Sequence, residues 1–222
     1  MRVRSARGLA ALSMAVVVLG AAAVAAQGVW EPAIAAFEAS DRTAPPPTGE
    51  IVFVGSSSIR LWDAQRYFPD LKIINRGFGG SQLSDAVRYA DRIVIPYKPR
   101  IVVVYAGDND IYGGATSEQV VISFEQFVRT VRAKLPAVRI VFIGIKPSLQ
   151  RWDVIVRTRV ANEMIRAYAE HDDDIAFLDV DQAMLGWDEK PRSELFVEDG
   201  LHLTPEGYEL WSALLRPLLR AR

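Results

Sequence analysis

Four separated stretches of this chain hold the residues that serine-based acyl transfer would need. Gly55-Ser56-Ser57-Ser58 supplies hydroxyls that could act as a nucleophile. Asp199-Gly200-Leu201-His202 supplies an imidazole with a carboxylate three residues before it. A turn of that spacing can bring the carboxylate to the ring, where it would fix the tautomer and stabilise the imidazolium. Gly77, Gly79 and Gly80 let the backbone come close to a ligand. Asn109, in Gly107-Asp108-Asn109-Asp110, adds a neutral side-chain amide of the kind that can hold an oxyanion. Each stretch also has a plain reading. The serines make a turn or a helix cap, the glycines a tight turn, Asn109 a loop hydrogen bond, and His202 a surface residue. It is their combined placement that points to chemistry.

That placement depends on the elements before and after each stretch. Ile51 to Val54 reads as a buried strand, and the serines follow it directly. Leu71 to Asn75 reads as a second strand, with the glycine turn after it. Ile101 to Tyr105 is an unbroken apolar run, as expected of a parallel strand covered on both faces, and Asn109 lies in its exit loop. Arg139 to Gly144 and Ile175 to Leu178 read as strands four and five. Helical stripes lie between them at Leu83 to Ala90, Val120 to Leu135 and Val156 to Tyr168. Thr204-Pro205-Glu206 opens a last helix that runs to about Leu215, just after His202. Alternating strands and helices predict an α/β fold, a doubly wound, flavodoxin-like three-layer sandwich around a five-stranded parallel sheet. Ligands of such sheets sit beyond the carboxyl ends of the strands, where the four stretches should meet.

Composition narrows the chemistry further. The chain has 222 residues, half of them apolar, which fits one domain with a sizeable core. There is no cysteine, so disulfides, thiolate catalysis and cysteine-bound zinc are excluded. The two histidines are His171 and His202, too few for a histidine-rich metal site. His171, at the end of a predicted helix, has the plain task of facing the negative end of the helix dipole. The formal charge of −1 offers no basic face for nucleic acid.

The first 26 residues read as a secretory signal peptide: Arg2, Arg4 and Arg7, an apolar run from Leu9 to Val24, and small residues up to a cut near Ala26. The apolar run is short for a membrane span, so no stable anchor is expected after cleavage. Removal of the leader takes away three arginines and no acid, changing the formal charge from −1 to about −4. The expected organisation is a signal peptide over 1–26, an N-terminal helix (Gly28 to Ser40) and proline-rich loop over 27–50, and the main domain over 51–222. The expected location is periplasmic or extracellular.

In these blocks the chain resembles the SGNH hydrolases, also called GDSL lipases and acylhydrolases. The resemblance runs from about Ile51 to Leu215. Gly55-Ser56-Ser57 corresponds to the family's Gly-Asp-Ser, Asn75-Arg76-Gly77-Phe78-Gly79-Gly80 to its Asn-x-Gly-x-x-Gly, Gly107-Asp108-Asn109-Asp110 to its Gly-x-Asn-Asp, and Asp199-Gly200-Leu201-His202 to its Asp-x-x-His. The resemblance implies that Ser57 is the nucleophile, His202 the base and Asp199 its partner. It also implies an oxyanion hole made by the amides of Ser57 and Gly80 and the side chain of Asn109. Ser56 stands where the family usually has aspartate, which is not the triad acid. The Gly-x-Ser-x-Gly elbow of the α/β-hydrolases is absent, because Ile59 occupies its second glycine position.

The expected activity is therefore ester hydrolysis through an acyl-enzyme, without cofactor or metal. The family's substrates would include lysophospholipids, short acyl esters and carbohydrate acetates, so a lipid or an acetylated glycan is the expected partner. Arg60, Phe78 and Lys146 are expected to contact substrate because they lie in or beside the exit loops, and Trp62, Tyr112 and Trp152 are further rim candidates. The rival reading is a non-catalytic binding module on the same fold, holding a nucleotide or flavin whose phosphate the serines cradle, or else a sugar. No Gly-x-Gly-x-x-Gly follows the first strand and no P-loop lysine follows the serines.

Overall fold

The computed structural model describes residues 28–220, and the expected signal peptide lies outside them. Five strands form one sheet: β1 (Ile51–Gly55), β2 (Ile73–Gly77), β3 (Ile101–Tyr105), β4 (Arg139–Ile143) and β5 (Ile175–Leu178). Their order is β2-β1-β3-β4-β5 and every pairing is parallel. This is the doubly wound arrangement expected from the sequence. The strand order reverses between β1 and β3, and there the crevice for ligands opens.

Alternation along the strands assigns the two faces. Val52, Val54, Val102, Val104, Ile140 and Phe142 point to one side and are buried with Leu83, Phe124, Phe127 and Ile165. Those partners come from α4 (Leu83–Ile93), α6 (Ser117–Arg132) and α7 (Ile155–Ala169), with α1 (Glu31–Thr43) adding Ile34. On the other side Ile51, Phe53, Val103, Tyr105, Val141 and Ile143 pack with Trp62, Phe68, Trp211 and Leu215. Trp211 and Leu215 belong to α8 (Pro205–Leu215). The one-turn helices α2 (Ser57–Arg60) and α3 (Ala64–Tyr67) follow β1, and a third, α5 (Asp108–Tyr112), follows β3.

Two elements differ from the sequence reading. The N-terminal helix runs to Thr43 rather than Ser40 and stops before Pro45-Pro46-Pro47, because a residue before proline is pushed out of helical geometry. β2 begins two residues later than expected and runs on past Asn75 through Arg76 to Gly77. Both polar side chains have partners there. Asn75 Nδ2 donates to the carbonyls of Ile59 (2.7 Å) and Trp62 (3.1 Å), holding α2 against the edge strand. Arg76 pairs with Asp41 at 2.5 Å and donates to the Tyr97 hydroxyl at 2.8 Å, which fastens the end of α1.

Candidate active site

β1 ends on Gly55, whose φ is +141°. A Cβ there would lie 1.9 Å from the Tyr105 carbonyl oxygen, so only glycine lets the chain turn so close to β3. The next amide, Ser56, donates to that same carbonyl at 3.0 Å. Ser56 and Ser58 are buried, whereas Ser57, first residue of α2, is half-buried at the carboxyl edge of the sheet. Of the three hydroxyls, the one on Ser57 meets His202, with Oγ 2.9 Å from Nε2.

His202 is held by the turn before α8. The Val197 amide donates to the His202 carbonyl and the Gly200 amide to the Val197 carbonyl, both at 2.9 Å. Asp199 Oδ1 accepts the amides of Leu201 (2.8 Å) and His202 (2.9 Å), while its Oδ2 lies 2.5 Å from His202 Nδ1. Burial would raise the Asp199 carboxyl, but the imidazole and the two amides outweigh it and hold the group down at about 2. An ionised carboxylate only accepts, so the hydrogen shared with it belongs to Nδ1. In the neutral imidazole that leaves Nε2 as the acceptor for the Ser57 hydroxyl. Thr204 fixes the other end of the turn: its Oγ1 accepts the Gly207 amide at 3.2 Å and donates to the Glu194 carbonyl at 2.8 Å.

The amides of Ser57 and Gly80 donate to no acceptor among the described residues. Gly80 holds φ at +79°, a conformation in which a side chain is strained. Asn109, on α5, donates from Nδ2 to the Ser81 carbonyl at 2.9 Å, and its Oδ1 accepts from Arg151 Nη2 at 3.1 Å. Below it lies a buried charge cluster that the sequence did not reveal. Asp108 pairs with Lys146 at 3.0 Å and with Arg151 at 2.7 Å, and Lys146 Nζ also donates to the Tyr105 hydroxyl at 3.0 Å. Burial opposes both charges, yet Lys146 and Arg151 hold the Asp108 carboxyl below its usual range. Burial alone would lower the Lys146 ammonium, and Asp108 holds it above its usual range instead. Burial also pushes the Tyr105 hydroxyl up to about 12 and the Asp110 carboxyl up to about 6.

Two of the expected substrate contacts are corrected. Phe78 is 1 % exposed and packs edge-on against Trp30 and Tyr89, so it has no surface to offer a ligand. Lys146 is 3 % exposed and committed to Asp108 and Tyr105. Trp62 is likewise in the core, among Phe53, Phe68 and Trp211. Arg60 is exposed and its Nε passes over Gly79, at the rim. Tyr112 is exposed beneath the Arg151 guanidinium, 4.5 Å from ring centroid to carbon. Trp152 lies instead in a polar pocket with Arg159, Gln182 and Lys190. His171 Nδ1 lies 2.7 Å from the Ala167 carbonyl at the end of α7.

A groove of about 440 Å³ opens beside His202, lined by Leu61, Tyr67, Val197, Leu203, Pro205 and Tyr208, with Asp63 and Arg66 also on its wall. These residues come from two distant stretches, 61–67 and 197–208, and no spacing in the sequence groups them. Among the described residues, no three His, Asp or Glu side chains gather closely enough to hold a metal ion.

Comparison with known proteins places the chain in a family. The model of the GDSL-like lipase/acylhydrolase family matches residues 60–210. The platelet-activating factor acetylhydrolase IB subunit alpha2 of Gallus gallus is 26 % identical over 168 residues, covering 72 % of this chain and 71 % of that protein. Among solved structures, a GDSL-like lipase from Bacteroides thetaiotaomicron superposes with a TM-score of 0.73 at 21 % identity, covering 84 % of this chain and 96 % of that one. A family 3 carbohydrate esterase from Clostridium thermocellum gives 0.64 at 15 % identity, covering 78 % and 98 %. At those identities the two structures speak for the fold.

Proposed function

We propose that this chain, which belongs to the GDSL-like lipase/acylhydrolase family, is a carboxylic ester hydrolase that works as a serine esterase through Ser57, His202 and Asp199. The observation that carries this reading is the relay from Ser57 Oγ to His202 Nε2 at 2.9 Å and from His202 Nδ1 to Asp199 Oδ2 at 2.5 Å, joining residues 145 positions apart in sequence. His202 takes the Ser57 proton as Oγ attacks the ester carbonyl carbon. The oxyanion is received by the amides of Ser57 and Gly80 and by the Nδ2 of Asn109. Collapse of the tetrahedral intermediate breaks the bond to the alcohol, which leaves with the proton from Nε2. Water then attacks the acyl-Ser57 carbonyl, gives its proton to Nε2, and releases the acid and the serine. Asp199 stays ionised throughout and steadies the imidazolium.

The groove supports an ester with an apolar alcohol portion. His202 forms part of its wall, and His202 is the group that hands a proton to the departing alcohol. The donors Gly80 and Asn109 are not among its lining residues. A short acyl group, as in the acetylhydrolase named among the relatives, completes the proposed substrate. Two ester series test this. Acetate esters of lengthening alcohols should show kcat/KM rising with chain length, whereas p-nitrophenyl esters of lengthening acids should show it falling. Ser57→Ala and His202→Ala should reduce both to background. Undiminished turnover in Ser57→Ala would overturn the reading. The protein is further proposed to be exported with its leader cut near Ala26; amino-terminal sequencing of secreted material should then begin near Gln27.

A further inference from the structure

We propose that Arg151 is a positioning residue for the oxyanion hole: its guanidinium locks the amide of Asn109 in one orientation and strengthens that amide as a donor. This rests on the reading of Asn109 as an oxyanion donor. Arg151 lies in the loop between β4 and α7, and its side chain is only 10 % exposed. Three contacts fix it. Nη2 donates to Asn109 Oδ1 at 3.1 Å, Nη1 lies 2.7 Å from Asp108 Oδ1, and the guanidinium carbon sits 4.5 Å from the Tyr112 ring centroid.

A side-chain amide can rotate by half a turn and exchange its oxygen and nitrogen. At Asn109 the two ends meet opposite partners, a guanidinium at the oxygen and the Ser81 carbonyl at the nitrogen. A flipped amide would set NH2 against the cation and oxygen against oxygen. Both contacts would become repulsive, so Nδ2 keeps its place. One of its hydrogens goes to Ser81, and the other remains for a ligand. Meanwhile the cation on Oδ1 draws electron density from the amide, and hydrogen bonds in such a chain strengthen one another. Asp108 keeps the guanidinium in position from the other side. The loop that carries Arg151 is also bound to the catalytic turn, since the Gln150 amide donates to the Gly200 carbonyl at 3.0 Å.

The test is a double-mutant cycle on purified protein, with kcat and KM for p-nitrophenyl acetate referred to folded protein measured by circular dichroism. Asn109→Ala should lower kcat on the order of a hundredfold. Arg151→Met should lower kcat about tenfold, as expected for loss of a charge-assisted bond, with KM little changed. In the Asn109→Ala background, Arg151→Met should cost less than twofold, because the group it acts through is gone. Arg151→Lys keeps the charge beside Asp108 without the planar fork, so it should hold the fold and recover only part of kcat. Equal losses from Arg151→Met in both backgrounds would overturn the inference while leaving the esterase reading intact. So would an unchanged kcat in Arg151→Met alongside a costly Asn109→Ala. A harmless Asn109→Ala would overturn both the inference and the assignment of Asn109 to the oxyanion hole.

Discussion

Replacing Lys146 by methionine removes one of the two cations that face Asp108. The ammonium is almost wholly buried, with 1 % of the side chain exposed, and it sits 3.0 Å from the carboxylate. Breaking a buried pair from one side costs about 3–5 kcal/mol, because the surviving charge has lost both water and partner. Here Arg151 stays 2.7 Å from the other carboxylate oxygen, so the cost should fall to about 2–3 kcal/mol. For a chain of this length each kcal/mol shifts Tm by about 2–4 °C, giving a fall of about 4–12 °C. Asp108→Asn should cost more, since it leaves two buried cations facing each other without an anion. The pH dependence has a definite sign. Asp108 is held below its ordinary value of 3.8 and Lys146 above its ordinary value of 10.5. The carboxylate's contribution is therefore complete above 3.8 and fades as pH drops through the lower folded value. The ammonium's is complete below 10.5 and fades as pH climbs through the higher one. Scanning calorimetry of both variants from pH 3 to 9 should show a gap from wild type that is flat between about pH 5 and 9 and narrows toward pH 3. A Tm within about 1 °C of wild type, or Asp108→Asn milder than Lys146→Met, would refute the reasoning.

Other consequences follow from single contacts. Gly80→Ala must hold an alanine at φ +79° with its Cβ 3.1 Å from the tip of the Trp30 ring, so kcat should fall at least about tenfold while far-ultraviolet dichroism stays unchanged. Adding Trp30→Ala should recover only part, because the backbone strain remains. Asp199 holds its carboxyl down at about 2 against an ordinary 3.8. The stability difference between wild type and Asp199→Asn should thus be complete above about pH 4 and shrink as pH falls toward 2, as read by urea unfolding. Leu61, 44 % exposed on the groove wall, should matter to the alcohol. Leu61→Asp should raise KM severalfold for acetates of long-chain alcohols and leave ethyl acetate unaffected.

The fold was legible because the strands are the apolar runs of the sequence. Ile101 to Tyr105 is buried throughout and could hardly be anything else. β2 was harder to place, since Arg76 looks like a loop residue until Asp41 and Tyr97 are seen around it. The four blocks were legible through their order, and the structure brings Ser57, His202 and Asp199 into one hydrogen-bonded line. Which of three adjacent serines faces the imidazole was a matter of helical phase, set by the turn at Gly55. Phe78 and Lys146 were misjudged because a position beside an exit loop does not say which way a side chain points. Arg151 carried no sequence signal, because its partners Asn109 and Asp108 belong to another loop.

The most direct test of the account is the mass of the intact protein after treatment with an organophosphonate ester. Wild type should gain one phosphonyl group, and peptide mapping should place it on Ser57. Ser56→Ala and Ser58→Ala should still gain it, and Ser57→Ala should gain nothing. An adduct that survives Ser57→Ala, or a folded wild type that takes up none, would contradict the reaction proposed at this site.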